Sequence, residues 1–288
     1  MMERRAWRFS DGVLLAGLVG LAIVATWSTW VEVFTVALRD EEQSHVLLAP
    51  LIAVWLAWVR RERLRYSRPK WTILGPAGVL AGWGLAWLGF QSDKEMFLHV
   101  GSLLIVISAG LTVVGVSFAR NFMPAIVALL FLLPAPGRIR YRIAVPLQEV
   151  TADITHKIME LFGAPIVSHG NILTINGVDV AVAEACNGMR MVAALGLVSY
   201  AFVFSAPMRQ SVRLFILAVS PLVAIVCNVV RLVPTVLLYG YGDPEVADMF
   251  HDVSGWVMLL VALGILWGVF GLLRWIEVPI TPYSVAEE

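Results

Sequence analysis

Two residues of this chain are placed where side-chain chemistry is hard to explain by packing alone. Cys186, one of only two cysteines, stands in Ala183-Glu184-Ala185-Cys186-Asn187-Gly188-Met189-Arg190, where a polar stretch runs into a long apolar one. The apolar run predicts a helix with Cys186 in its first turn. There, unpaired backbone N–H groups and the positive end of the helix dipole favour the thiolate, the nucleophilic form. The plainer reading is a small residue opening a transmembrane helix. Arg231 sits in Cys227-Asn228-Val229-Val230-Arg231-Leu232-Val233-Pro234, about eight residues and so roughly 12 Å from the end of a strongly apolar stretch. An unpaired guanidinium at such a depth costs at least about 2.5 to 3.5 kcal/mol, which asks for a function, a carboxylate partner or an escape to the interface.

The neighbours of these two residues extend the pattern. Arg190 follows Cys186 by four residues and shares its helix face, where it either tunes the thiolate or pairs with Glu184 or Asp179. Asn228 shares a face with Arg231, and Pro234 loosens the helix one turn further on. Cys227 lies within an apolar run and reads as a packing residue, so a disulfide with Cys186 is not expected. A thiol nucleophile commonly works with an imidazole that takes a proton and returns it. His45, His99, His156, His169 and His251 are available, and position relative to the membrane does not choose among them. His251 has the most informative surroundings, in Phe250-His251-Asp252-Val253-Ser254-Gly255-Trp256.

What positions these groups is a membrane bundle. Hydrophobic residues make up 59% of the chain and charged ones 15%, and mean hydropathy is +0.80, too apolar for a soluble domain. Net charge is zero, and neither a glycine-rich phosphate loop nor a metal-spaced Cys/His cluster occurs. No metal, cofactor or nucleic-acid partner is expected; the lipid bilayer is. Apolar stretches at 12–31, 46–59, 73–90, 97–116, 122–133, 186–205, 214–239 and 253–275 predict an all-α polytopic membrane protein of about eight transmembrane helices. The first stretch follows Arg4, Arg5 and Arg8 as a signal peptide would, but leads to Trp27, Trp30 and Glu32 rather than a small-residue cleavage site, so it reads as an uncleaved span.

The basic loop Arg60, Arg61, Arg63, Arg65, Arg68 and Lys70 belongs in the cytoplasm by the positive-inside rule. Eight crossings then put Cys186 on the outer side. The fifth stretch is short and carries Pro124, with Pro134 and Pro136 at its end, and would reverse that placement if it turned back. The charge balance is nearly the same either way. The non-spanning segment at about 135–185 contains Ile143, Leu147, Val150, Ile154, Ile158 and Leu161 at intervals of three and four. This is an amphipathic helix that either lies in the bilayer interface or packs on the bundle. Residues 172–182 read as a short β-hairpin turning at Asn176-Gly177, just before the sixth helix. With no long linker, 1–288 reads as one membrane-embedded domain.

In this order and spacing, the segment 183–190, Asn228-Val229-Val230-Arg231 and His251-Asp252-Val253-Ser254-Gly255-Trp256 resemble the three signature blocks of the exosortase/archaeosortase family. Ser44-His45-Val46-Leu47-Leu48-Ala49-Pro50 resembles its early motif, and residues 132–136, 146–148 and 170–172 also fit. The resemblance implies an integral-membrane cysteine transpeptidase of the bacterial inner membrane, with its active site facing the periplasm. Its substrates would end in a Pro-Glu-Pro-like motif, a transmembrane helix and a basic tail, and would be cut near the motif and passed to an envelope or polysaccharide acceptor. It carries the nucleophile onto Cys186, the essential arginine onto Arg231 and the histidine onto His251, with Arg190, Asn228, His45 and Asn187 as possible supporting residues. Asn187 stands where the family commonly has serine. The soluble domain that some exosortases carry behind the core is not expected. Two other classes fit the residues without the resemblance: a transporter that binds an anion through Arg231 and Asn228, and a non-catalytic scaffold for envelope polysaccharide export.

Overall fold

The computed structural model describes residues 7–67, 69–182 and 188–275. The chain divides into two compact units, Met1–Pro136 and Gly137–Glu288.

In the first unit, α1 (Phe9–Ala25) and α2 (Trp27–Arg39) meet at Thr26 with a bend of 74°. Thr26 Oγ1 donates to the Ala22 carbonyl at 2.7 Å and accepts from Trp30 Nε1 at 2.8 Å. A hydroxyl bonded back to the preceding turn is a recognised cause of helix bending. The expected first span at 12–31 therefore runs across a break. A 3₁₀ turn, Glu41–Leu47, leads into α3 (Leu48–Val59). The helices α4 (Leu74–Ser92) and α5 (Glu95–Asn121) pack closely because glycines face each other. A Cβ built on Gly101 would stand 2.6 Å from the Gly82 carbonyl oxygen, and one built on Gly82 would stand 2.8 Å from the Gly101 oxygen. Inside α5, Gly115 takes a φ of 76° that breaks the helical path. After α6 (Met123–Ala128), the 3₁₀ turn Leu129–Leu132 closes the unit.

In the second unit, α7 (Gly137–Leu161) precedes an antiparallel meander of β1 (Ile166–His169), β2 (Ile172–Ile175) and β3 (Val178–Ala181). The expected hairpin is present, with Leu173 opposite Val180. Its turn has Asn176 and Gly177 both at positive φ, as a two-residue hairpin turn requires. β1 is a third strand beyond that hairpin. Gly170, at φ 64°, supports its tight turn into β2.

On α7, the residues turned inward are Ala144, Gln148, Thr151, Ala152, Thr155 and Met159, while Ile143, Val150 and Leu161 stay exposed. The helix thus packs on its unit through its small and polar face, because short side chains allow close approach to the sheet. Of the apolar stripe picked out in the sequence, Ile143, Val150 and Leu161 are exposed, while Leu147, Ile154 and Ile158 are half-buried.

Three long helices complete this unit: α8 (Gly188–Ser205), α9 (Gln210–Tyr241) and α10 (Pro244–Trp275). α9 is its spine. Leu232 and Val236 join Ala152, Met159, Leu173, Ile175 and Val180 in one core, while Val223, Ala224 and Cys227 join Met191, Leu195, Ala262 and Leu266 in another.

The protein is a helical integral membrane protein with one small sheet. Among the described residues, Glu42–Val59, Glu95–Asn121, Gln210–Tyr241 and Pro244–Leu273 are long and apolar enough to cross a bilayer, and the bent α1–α2 pair would make five. Eight crossings are not all supported in this way. α4 is diluted by glycine and tryptophan, and Met123–Leu132 and Arg190–Ser205 are short. The α4–α5 packing gives a test: Gly101→Ala forces a methyl into the Gly82 backbone and should destabilise the protein by about 1 to 3 kcal/mol. The readout is a lower thermal unfolding midpoint in detergent.

Candidate active site

The site is assembled on α9. Arg231 is 3% exposed and Asn228, one turn before it, is 2% exposed, so both polar side chains are enclosed by the second unit. Pro234 cannot donate to the carbonyl four residues before it, and Thr235 Oγ1 donates to the Arg231 carbonyl at 2.8 Å. The Asn228 Oδ1 is buried with no hydrogen-bond partner among the described residues. A group of this kind costs about 1 to 3 kcal/mol and rarely persists without a use.

α10 supplies the opposite wall. His251 is half-buried with its Nδ1 enclosed, and its carbonyl accepts from Ser254 Oγ at 3.1 Å. Gly255, one turn on, is where the arginines meet. A Cβ built there would stand 2.8 Å from Arg231 Nη1 and 3.0 Å from Arg190 Nη2. The two guanidinium nitrogens are therefore no more than about 6 Å apart. Unit charges at that separation repel by about 3 kcal/mol at an effective dielectric constant of about 20. Their convergence brings two cationic side chains to one point of α10, one helical turn from His251.

The sheet and the α9–α10 turn brace this arrangement. Asn176 Nδ2 donates to the Gly240 carbonyl at 3.0 Å, tying the hairpin turn to the end of α9. Tyr239 donates from its hydroxyl to Asp248, joining α9 to α10. Beyond β3, Val182 is fully buried and its N–H donates to the Asn171 carbonyl at 2.8 Å. The strand that leads toward Cys186 is thus fixed at Val182.

Cys186 and Asn187 lie outside the described residues, and α8 is helical from Gly188. Of the other residues singled out in the sequence, Arg190, Asn228, Arg231 and His251 all belong to the second unit, and Arg190 and Arg231 both reach Gly255. His45 belongs to the first unit, half-buried in the Glu41–Leu47 turn with Nδ1 3.2 Å from the Glu42 carbonyl oxygen. Gly255 gains a role that its place in the third block does not announce. Its signal in the sequence is a glycine four residues after a histidine inside an apolar helix. The first unit holds a further pair, the buried His99 with its Nε2 3.3 Å from Oε1 of the partly exposed Glu32, whose signal is a carboxylate inside an apolar stretch.

A family model for transmembrane exosortases matches residues 27–268. The chain belongs to the transmembrane exosortase family. All three signature blocks and the early motif around His45 fall within the matched span. No curated protein and no solved structure matches the chain. In this exosortase, the first, second and third blocks each contribute a residue to the meeting point at Gly255: Arg190, Arg231 and the glycine itself.

The crowding at Gly255 can be tested without an activity assay. Gly255→Ala meets the far ends of two flexible arginine side chains, so it should shift the thermal midpoint of the detergent-solubilised protein by less than Gly101→Ala, whose methyl meets backbone. Gly264→Ala, on the same helix with nothing within 4 Å of its Cβ position, should not lower it.

Proposed function

We propose that the protein is a membrane cysteine endopeptidase and transpeptidase that removes the carboxyl-terminal sorting signal of exported proteins. The observation that carries this reading is the convergence of Arg190 and Arg231 on Gly255, one helical turn from His251. Membership of the exosortase family supports a role in protein sorting and transpeptidation.

In the proposed reaction, the Cys186 thiolate adds to the scissile carbonyl carbon. The guanidinium of Arg231, permanently charged and rich in donors, stabilises the oxyanion that forms. Collapse of this intermediate breaks the C–N bond, and protonated His251 gives its proton to the departing amine. The thioester on Cys186 is then resolved by an amine or hydroxyl of an envelope or polysaccharide acceptor, or by water. Asn228 and Asn187 support the site.

In this reading the chain is one membrane-embedded domain of the inner membrane. Eight crossings put the amino terminus and the Arg60–Lys70 loop in the cytoplasm and Cys186 on the periplasmic face. The substrates carry a Pro-Glu-Pro-like motif, a transmembrane helix and a basic tail. Labelling Cys186 with an impermeant thiol reagent on intact cells tests its side of the membrane.

The direct test follows a tagged substrate in membranes. Cys186→Ala should abolish processing, while Cys227→Ala should leave it nearly unchanged, because Cys227 is buried among Leu195, Ala224 and Leu266. Processing at the normal rate without Cys186 would overturn the proposal. A transporter that binds an anion at Arg231 and Asn228 would instead lose function with Arg231→Gln and retain it with Cys186→Ala. A substrate thioester on Cys186, seen by mass spectrometry, separates the enzyme from that transporter and from a scaffold.

A further inference from the structure

We propose that the shared end of α1, α3 and α5 is a docking surface for the headgroups of anionic phospholipids. The inference concerns the first unit alone and does not depend on the peptide-processing reading.

Ser67 ties that end together. It is 1% exposed and follows the 3₁₀ turn Arg61–Tyr66. Trp7 Nε1 donates to its carbonyl at 2.9 Å, Asn121 Nδ2 donates to its Oγ at 2.8 Å, and that Oγ donates to the Arg63 carbonyl at 3.1 Å. Trp7 also meets the Phe118 ring edge-on, with centroids 6.3 Å apart. Further along, a Cβ built on Gly115 would stand 2.5 Å from the Lys70 carbonyl oxygen, so the loop backbone lies directly on α5. The start of α1 and the ends of α3 and α5 therefore share one side of the unit. A segment that reads in the sequence as a basic loop is a seated platform.

The charge of this platform is one-sided. Arg8, Arg61, Arg63, Arg65, Lys70 and Arg120 are exposed, whereas the carboxylates nearest to the first four in sequence are Glu62 and the buried Asp11. Among the described residues, no carboxylate pairs with Arg63, Arg65, Lys70 or Arg120. Arg61 is held by Trp58: its guanidinium lies 4.7 Å from the ring centroid, and Nη1 donates to the Trp58 carbonyl at 3.3 Å.

The depth of these cations selects a lipid as the occupant. The apolar segment Glu42–Val59 ends two residues before Arg61, and Trp58, Tyr66 and Trp71 are exposed beside the cations. Exposed tryptophan and tyrosine at the end of a spanning helix sit at headgroup level, so the arginines meet lipid phosphates there. A guanidinium can give a phosphate two parallel hydrogen bonds. A zwitterionic headgroup carries its own cation beside the phosphate, so the platform favours lipids with net negative charge. Three residues make one 3₁₀ turn, so Arg61, Arg63 and Arg65 leave it on different sides and can engage more than one headgroup.

The test is native mass spectrometry of the full chain in detergent, titrated with dioleoylphosphatidylglycerol, which is anionic, or dioleoylphosphatidylcholine, which is zwitterionic with the same chains. The anionic lipid should bind about tenfold more tightly. Replacing Arg61, Arg63 and Arg65 together by Gln should bring this ratio to about one. Arg63→Gln alone, a change to one exposed side chain, should lower it about threefold and serves if the triple variant does not fold. Arg138→Gln with Arg142→Gln, which removes exposed charge from the second unit, should leave the ratio unchanged. Equal affinities of the unaltered protein for the two lipids would overturn the proposal, as would a preference that survives in a folded triple variant. A ratio that falls as far in the Arg138 and Arg142 variant would also overturn it, by showing a general effect of charge. Glycerol 3-phosphate, the same chemistry without chains, should not displace the anionic lipid at equal concentration. Displacement would reassign the surface to a soluble phosphate.

Discussion

The second unit is organised around one enclosed guanidinium. Arg231 is nearly inaccessible on a helix whose other inward residues are mostly apolar or small, and keeping it there constrains every element that touches α9. The facing position on α10 is a glycine, and a Cβ there would lie 2.8 Å from Arg231 Nη1, so a side chain at 255 would need the guanidinium to move aside. α8 brings a second guanidinium to the same place. The sheet packs on the neighbouring residues Leu232 and Val236, which fixes the turn of α9 on which Arg231 is carried. Charge, a missing side chain and a small sheet are thus parts of one arrangement.

Elsewhere, the polar groups of the apolar helices are largely satisfied close to home. Thr26, Thr35, Ser92, Thr112, Thr151, Ser205 and Thr235 each donate to the carbonyl four residues earlier. This removes most of the cost of placing a hydroxyl away from water. Against that background Thr155, Ser199 and Asn228 are exceptions, each with a buried side-chain oxygen that has no hydrogen-bond partner among the described residues. Of these, Asn228 lies one turn from Arg231, on the face that carries the candidate chemistry. In the first unit, His99 beside Glu32, with Ser102 donating to Thr29 at 3.1 Å, places a second polar cluster between α2 and α5. There a carboxylate accompanies the imidazole, whereas two cations converge at Gly255.

The face of α7 that packs shows how a periodicity can predict a helix while leaving its neighbour open. Hydrophobic residues recur at helical spacing, and the helix forms as that spacing predicts. Its inward face, however, is the one with Ala144, Thr151, Ala152 and Thr155, since close packing rewards small side chains where no water competes. The hydrophobic rule that sorts faces in soluble proteins weakens in a membrane protein, because the outer surface is apolar too.

The sequence by itself determined the elements and the residues with chemical potential. Apolar length and composition identified a membrane protein, Asn176-Gly177 marked the hairpin turn, and an arginine far inside an apolar run marked a site, because each of these signals is local or carries a large energetic cost. Three things depended on the tertiary structure. The break at Thr26 falls where no glycine or proline marks it, at a threonine whose hydroxyl bonds both Ala22 and Trp30. The strand β1 forms because β2 offers an edge to pair with. The meeting of Arg190 and Arg231 at Gly255 joins residues from three helices that are distant in sequence. No periodicity or motif encodes such a meeting; it follows from how the helices pack, and glycine allows it by leaving the space that the two guanidiniums approach.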